Sequence, residues 1–160
     1  NPGLHPPHVA VSYAPGWNLV AGPEGSHVRG ASGNLYTLQP GDMDYEPVPA
    51  DAALRACWGY WAYFPTGGEF EPALGPYTGC TVHAAPGEYV MAGNPSPQYD
   101  AQPFNADPDS TWLYSPGCGY RLAQTTIPVG QGACVISSGP GAANGIQVQP
   151  IPGRAAAVSP

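Results

Sequence analysis

The sequence contains no lysine and very little charge of either sign: 9% of its 160 residues are charged, against about 25% in ordinary soluble domains. Without lysine, Schiff-base chemistry and a Walker-type phosphate loop are both excluded. Four arginines (Arg29, Arg55, Arg121 and Arg154) face eleven acids, giving a net charge of −7. No basic cluster is present to displace counterions from a phosphate backbone, so neither nucleic acid nor an anionic membrane is an expected partner. There is no apolar run of the 18 or more residues that would span a bilayer, so membrane insertion is not expected. There is also no charged-then-apolar leader, and an opening on Asn1 rather than Met fits a removed leader or a trimmed chain alike. Asn-x-Ser/Thr acceptors, G-x-S-x-G elbows and H-E-x-x-H motifs are missing too, which removes N-linked sugar and two hydrolase signatures. Glu69 and Glu71 stand two apart, whereas a glycosidase sets its two carboxylates across a cleft. The expectation is a non-enzymatic protein.

Long stretches free of glycine and proline are equally scarce. The longest is 50–58, nine residues, short of the average helix of about 11. A helical turn or two is expected only in PADAALRACW, with Asp51 as N-cap. Elsewhere 22 Gly and 22 Pro punctuate strand-length segments. Four Trp, ten Tyr and three Phe in patterned order argue against the disorder that such a composition otherwise signals. Extended segments are expected at 8–14, 17–21, 34–39, 45–48, 59–64, 80–84, 89–92, 111–115, 120–125, 133–137 and 145–149. Turn signals such as QPGD, TGGE and SPGC lie between several of them. The predicted fold is all-β, a sandwich or barrel-like domain.

The chain also repeats itself. GWNLVAGP at 16–23 returns 71 residues later as GEYVMAGNP; LYTLQPGDMDYEPV returns as LYSPGCGYRLA, and GYWAYF as GACVIS. This divides the chain into an arm (1–15), two pseudo-symmetric β-repeats (16–86 and 87–149) sharing one core, and a tail (150–160). With Gly59 set against Gly132, Trp61 matches Cys134 and Tyr63 matches Ile136. That face is apolar in both copies and is the expected core, because strand side chains alternate. The opposite face carries Trp58, Tyr60 and Phe64 against Gln131, Ala133 and Ser137. It is either covered by a local loop or forms an exposed aromatic contact surface able to stack on sugars or anchor a partner.

The four cysteines lack C-x-x-C spacing and read as disulfides rather than a zinc site, with buried free thiols as the alternative. Of three connectivities, Cys57–Cys80 and Cys118–Cys134 are favoured, because each pair brackets a turn signal, Gly67-Gly68 and Ile127-Pro128 respectively. Oxidised cysteines imply a secreted protein. In the arm, Val9, Val11 and Tyr13 alternate with small residues and read as an edge strand, paired in its own sheet or donated to a neighbouring molecule as an assembly arm. His5 and His8 fall on one side of a polyproline-like lead and are candidate ligands for a transition metal, the alternative being a solvated arm. Asn105, Asp107 and Asp109 present oxygens at alternate positions, as calcium loops do, although Asp and Asn before Pro are ordinary turn formers. No other cofactor is expected.

The openings GWNLVAGP and GEYVMAGNP, each followed about 45 residues later by GYWAYF or GQGACVIS, resemble a loosely defined β-repeat module of secreted and cell-surface bacterial proteins. Its copies look like GWN(L/I)-x-x-x-P with a later GQGYW-like segment. The resemblance covers 16–149 and implies a non-catalytic part of the cell exterior. The function expected from the sequence is an extracellular structural protein, a self-assembling subunit of a filament, sheath or layer whose partners are copies of itself. The alternative is a carbohydrate- or ligand-binding β-domain that meets polysaccharide through Trp58, Tyr60 and Phe64.

Overall fold

A computed structural model of the chain describes residues 10–73, 78–123, 126–138 and 145–155, the side chains of 152–155 excepted. The fold is all-β and sandwich-like, with four antiparallel sheets. In the first half, β1 (Ser12–Tyr13), β2 (Gly16–Val20), β3 (His27–Arg29), β4 (Ser32–Thr37), β5 (Glu46–Pro49), β6 (Tyr60–Phe64) and β7 (Gly68–Glu71) make two sheets, in the orders β2-β6-β4-β5 and β1-β7-β3. In the second, β8 (Cys80–Val82), β9 (Tyr89–Gly93), β10 (Tyr99–Phe104), β11 (Trp112–Ser115), β12 (Gly119–Leu122), β13 (Gly132–Ile136) and β14 (Ile146–Ala155) make β12-β11-β13-β9 and β10-β14-β8. Adding seven to each strand number of the first pair of sheets reproduces the neighbours in the second. By pairing, the division between halves falls between Glu71 and Cys80, and the final strand runs on to Ala155, opposite Tyr99.

The hairpins show why the sequence folds this way. Pro40 and Gly41 close the β4–β5 turn, with Gly41 at φ 87°, the Asp42 N–H donating to the Gln39 carbonyl (2.9 Å) and the Asp42 carboxylate accepting from the Gln39 N–H. Ser115-Pro116-Gly117-Cys118 repeats that geometry between β11 and β12, with Gly117 at φ 83° and the Cys118 N–H on the Ser115 carbonyl. A glycine at the third turn position supplies the positive φ. Three strands have no sequence counterpart. β7 reads GEFE and β10 reads YDAQPF, with acids and a proline masking any apolar alternation, and β3 is three residues long.

Each half has its own core. Tyr60, Ala62 and Phe64 on β6 pack with Tyr13, Val28 and Phe70 from the sheet laid over them, Tyr13 stacking on Phe64 at 5.0 Å between centroids. Val90, Ala92, Ala133 and Val135 pack beneath Val82, Ile146 and Val148. A smaller cluster of Leu19, Met91 and Cys134 joins the two. The single shared core expected from the repeats is therefore replaced by two cores and a joint.

At the joint the halves meet through backbone. Val20 bridges Gln131 and Ala92 bridges Trp58, while the Gly59 N–H donates to the Met91 carbonyl (3.0 Å) and the Gly93 N–H to the Cys57 carbonyl (2.9 Å). A Cβ at Gly59 would strike the Ala92 carbonyl, and one at Gly132 would approach the Gly59 Cα to 3.0 Å. Gly59→Ala is expected to cost about 2 kcal/mol, because backbone rather than a flexible side chain must yield. Urea denaturation of the variant reads this directly, and an unshifted midpoint would contradict the joint.

The expected Cys57–Cys80 disulfide is formed, with Cα atoms 6.1 Å apart. It does not cross a hairpin. It fastens the loop before β6 to the first strand of the second half. The other expected pair is not formed, and Cys118 and Cys134 are free. Cys134 lies level with Trp112 on β11, whereas Cys118 occupies the exposed turn beyond Ser115, about 10 Å further along at 3.3 Å per residue. A disulfide needs Cα atoms within about 7 Å.

PADAALRACW is not helical. Its backbone groups go elsewhere: Leu54 N–H donates to the Ser26 carbonyl at 2.7 Å, and Gly25 N–H to the Leu54 carbonyl at 2.9 Å. Asp51 therefore caps no helix. Among the described residues, helical geometry is confined to the 3-10 turn Pro108–Ser110, capped by Asp107.

Candidate functional site

Strand alternation puts Trp17 and Leu19 of β2 on the same face as Trp61 and Tyr63 of β6, which they oppose in register. Tyr36 of β4 sits across from Trp61 on its other side. In the second half, Tyr114 of β11 opposes Tyr120 of β12. Trp61 spans the two halves, with its ring 5.0 Å from Tyr114 and 6.3 Å from Tyr120. On its other flank stands Trp17, at 6.4 Å, followed by Tyr63, 5.3 Å beyond that. The rings Tyr63, Trp17, Trp61, Tyr114 and Tyr120 thus form one unbroken path across the joint.

This path is open to solvent. Trp17 is 43% exposed, Tyr63 39% and Tyr120 55%, although exposed apolar surface of this extent usually marks a contact site. From Trp17 to Tyr120 it floors a groove of about 750 Å³, walled further by Tyr36 of β4 and by Asp44 and Tyr45 from the β4–β5 hairpin, within the size range of small-molecule sites; Tyr63 flanks the groove beyond Trp17. Asp44 is the one charged residue among the described groove-lining residues. Arg121 alternates to the other side of β12. Burial first, and the nearby Cys134, Tyr45 and Tyr114 second, push the Tyr120 phenol above its ordinary value, so it stays a neutral hydroxyl that can both donate and accept.

The hairpin carrying Asp44 and Tyr45 is fixed to the second half. The Met91 N–H donates to the Leu38 carbonyl, and the Gln39 side-chain amide donates to the Met91 carbonyl. The Glu88 carboxylate accepts from the Gly41 N–H (2.7 Å) and the Ala85 N–H (2.9 Å). These two bonds, Gly41 first, hold the Glu88 carboxyl below the usual carboxylate range. A depressed folded value means that the clamp contributes fully above the unfolded value of about 4.3 and is lost as pH falls through the folded value. The melting temperature of the parent protein should therefore exceed that of Glu88→Gln at pH 6, and the gap should close below about pH 4. A gap independent of pH would refute the clamp.

The residues singled out in the sequence are placed differently. Phe64 is 0% and Tyr60 2% exposed, and Trp58 is half-buried with its ring under the Arg55 guanidinium at 4.9 Å. Tyr60 and Phe64 form the core side of β6, which the β1-β7-β3 sheet covers, and Trp58, ahead of the strand, packs against the same core. They are not the contact surface. The solvent side is instead the Trp61/Tyr63 face that the repeat comparison had assigned to the core. Of the proposed arm, Val9 lies outside the described residues. Val11 packs against the first core, and Tyr13 is buried with its hydroxyl donating to the Gly130 carbonyl at 2.7 Å. Ser12 and Tyr13 pair with Glu69 and Gly68 of their own chain, so this segment is not donated to a neighbour.

His5 and His8 also lie outside the described residues. The Asn105 amide donates to the Gly145 carbonyl, and the Asp107 carboxylate is occupied by the Asp109 N–H and the Ser110 hydroxyl. The arrangement is that of a turn and a helix cap, and no group of three metal-ligating side chains is present among the described residues. Glu71 is held bidentate by Arg29 on the first three-stranded sheet and does not line the groove. Sequence reasoning missed Trp17, Tyr36, Tyr45, Tyr114 and Tyr120. The signal for two of them was present: the matched triplets LYT and LYS place Tyr36 and Tyr114 in corresponding positions beside the central strands. No family model, curated protein or solved structure matches this chain.

Proposed function

We propose that the chain is a non-enzymatic extracellular carbohydrate-binding domain, built by internal duplication, whose ligand is a neutral polysaccharide held in the aromatic groove. The observation that carries this reading is the continuous ring path from Trp17 through Trp61 and Tyr114 to Tyr120, open at both ends, with one carboxylate and no cation among the described groove-lining residues. Pyranose rings present apolar C–H faces that suit flat Trp and Tyr surfaces, and their hydroxyls suit phenols and a carboxylate. An acidic glycan would meet Asp44 and a net charge of −7 with no basic side chain among the described groove-lining residues, so specificity runs to neutral chains. Binding without hydrolysis is favoured because Asp44 faces no second carboxylate among the described groove residues.

The Cys57–Cys80 bond supports an oxidising compartment, and among the described residues no helix is long and apolar enough to cross a membrane. The self-assembling subunit draws less support, since Ser12 and Tyr13, the segment that would have joined neighbours, are paired at home. An array of neutral and acidic glycans tests the proposal. Retention on neutral glycans and none on acidic ones is expected; retention on acidic glycans alone, or on none, overturns it.

A further inference from the structure

The main groove does not end at Tyr120. On the far side of that ring lies a second opening of about 340 Å³, lined by Tyr89, Trp112, Tyr120 and Cys134. Its walls come from four strands of the second half, in register: Trp112 stands opposite both Leu122 and Cys134, and Tyr89 opposite Ile136. Tyr89 and Trp112 are both exposed. Tyr45, a wall of the main groove, lies close enough to Tyr89 and Tyr120 to raise both phenols electrostatically, behind the larger effect of burial. Tyr120 is thus a partition shared by two adjoining aromatic openings.

We infer that the second opening is a further subsite for the same glycan, so that the protein takes an internal stretch of an extended neutral chain rather than a single terminal sugar. The inference rests on the groove reading above. Its own support is the continuity through Tyr120 and the matching chemistry. Like the first opening, the second offers ring faces and phenol hydroxyls, and its described lining holds no cationic or carboxylate side chain. A ligand confined to the main groove would leave Trp112 in water, whereas a chain crossing Tyr120 covers it. The Cys134 thiol at the base is buried, which pushes it above its ordinary value. It serves as a neutral floor rather than a reactive group.

Calorimetric titration with size series of neutral gluco-oligosaccharides and chitin-derived oligosaccharides, from disaccharide to hexasaccharide, tests this. Affinity should rise about tenfold from the short to the long members, and Trp112→Ala should remove that increment while leaving disaccharide affinity unchanged. Tyr89→Ser, on a different strand of the same opening, should do the same, with melting temperature followed to confirm folding. Affinity independent of length, or an equal loss for short and long members in both variants, overturns the second subsite and leaves the groove reading standing. Failure of every member of both series to bind the parent protein overturns both.

Discussion

Trp61→Ala is expected to lower affinity for the retained glycan by roughly 30-fold or more, about 2 kcal/mol, the scale of a central aromatic anchor. Trp61 is the ring that touches both halves: it neighbours Trp17 on one flank and Tyr114 and Tyr120 on the other. Removing it breaks the path in the middle, leaving two shorter ring pairs with no shared surface. Trp58→Ala is the matched control, because Trp58 differs by three positions on the same stretch of chain and packs toward the first core. It should leave affinity unchanged even where it lowers stability. Equal losses in the two variants would mean that the groove is not the binding surface.

Converting Cys57 and Cys80 to serine is expected to cost about 3 kcal/mol of stability, the range for closing a loop of this size. Melting should fall by roughly 6–12 °C at 2–4 °C per kcal/mol for a chain of this length. The bond matters beyond loop closure, because Cys57 belongs to the loop ahead of the central strand of the first half yet is buried in the core of the second. Cys118→Ser, at an exposed turn, should leave melting unchanged. A reductant-insensitive melting temperature in the parent protein would contradict the bond.

The class of fold was legible because glycine and proline break the chain into pieces too short for helices, and each expected segment overlaps an observed strand. The order of segments was legible too: GWNLV lies beside GYWAYF as β2 beside β6, and EYVMAG beside GACVI as β9 beside β13. The site was not. Requiring the buried face to be apolar in both copies assumed one core of equal depth, but each half covers its own inner face with a separate three-stranded sheet. The first half fills that space with Tyr60 and Phe64, and the second with Ala133 and Val135. The face that is apolar twice over, Trp61 with Cys134, is instead the one where the halves meet. Its outer part continues into solvent, Trp17 lining the groove and Tyr63 standing beside it. Tyr45 and Tyr120 come from edge strands or turns on opposite halves, and only the joint brings them together.

The Cys118–Cys134 expectation failed for a related reason. Proximity in sequence was read as proximity across a hairpin, but β12 and β13 lie on opposite sides of β11. The residue that follows the Pro116-Gly117 turn, Cys118, is exposed to water.

The most direct measurement is an NMR titration of the tryptophan indole N–H signals with the neutral glycan retained best on the array. The account predicts that the Trp17 and Trp61 signals shift and saturate together while Trp58 stays in place. Saturable shifts at Trp58 with Trp17 and Trp61 unmoved would place the ligand on the other side of the sheet and contradict the aromatic groove as the binding site.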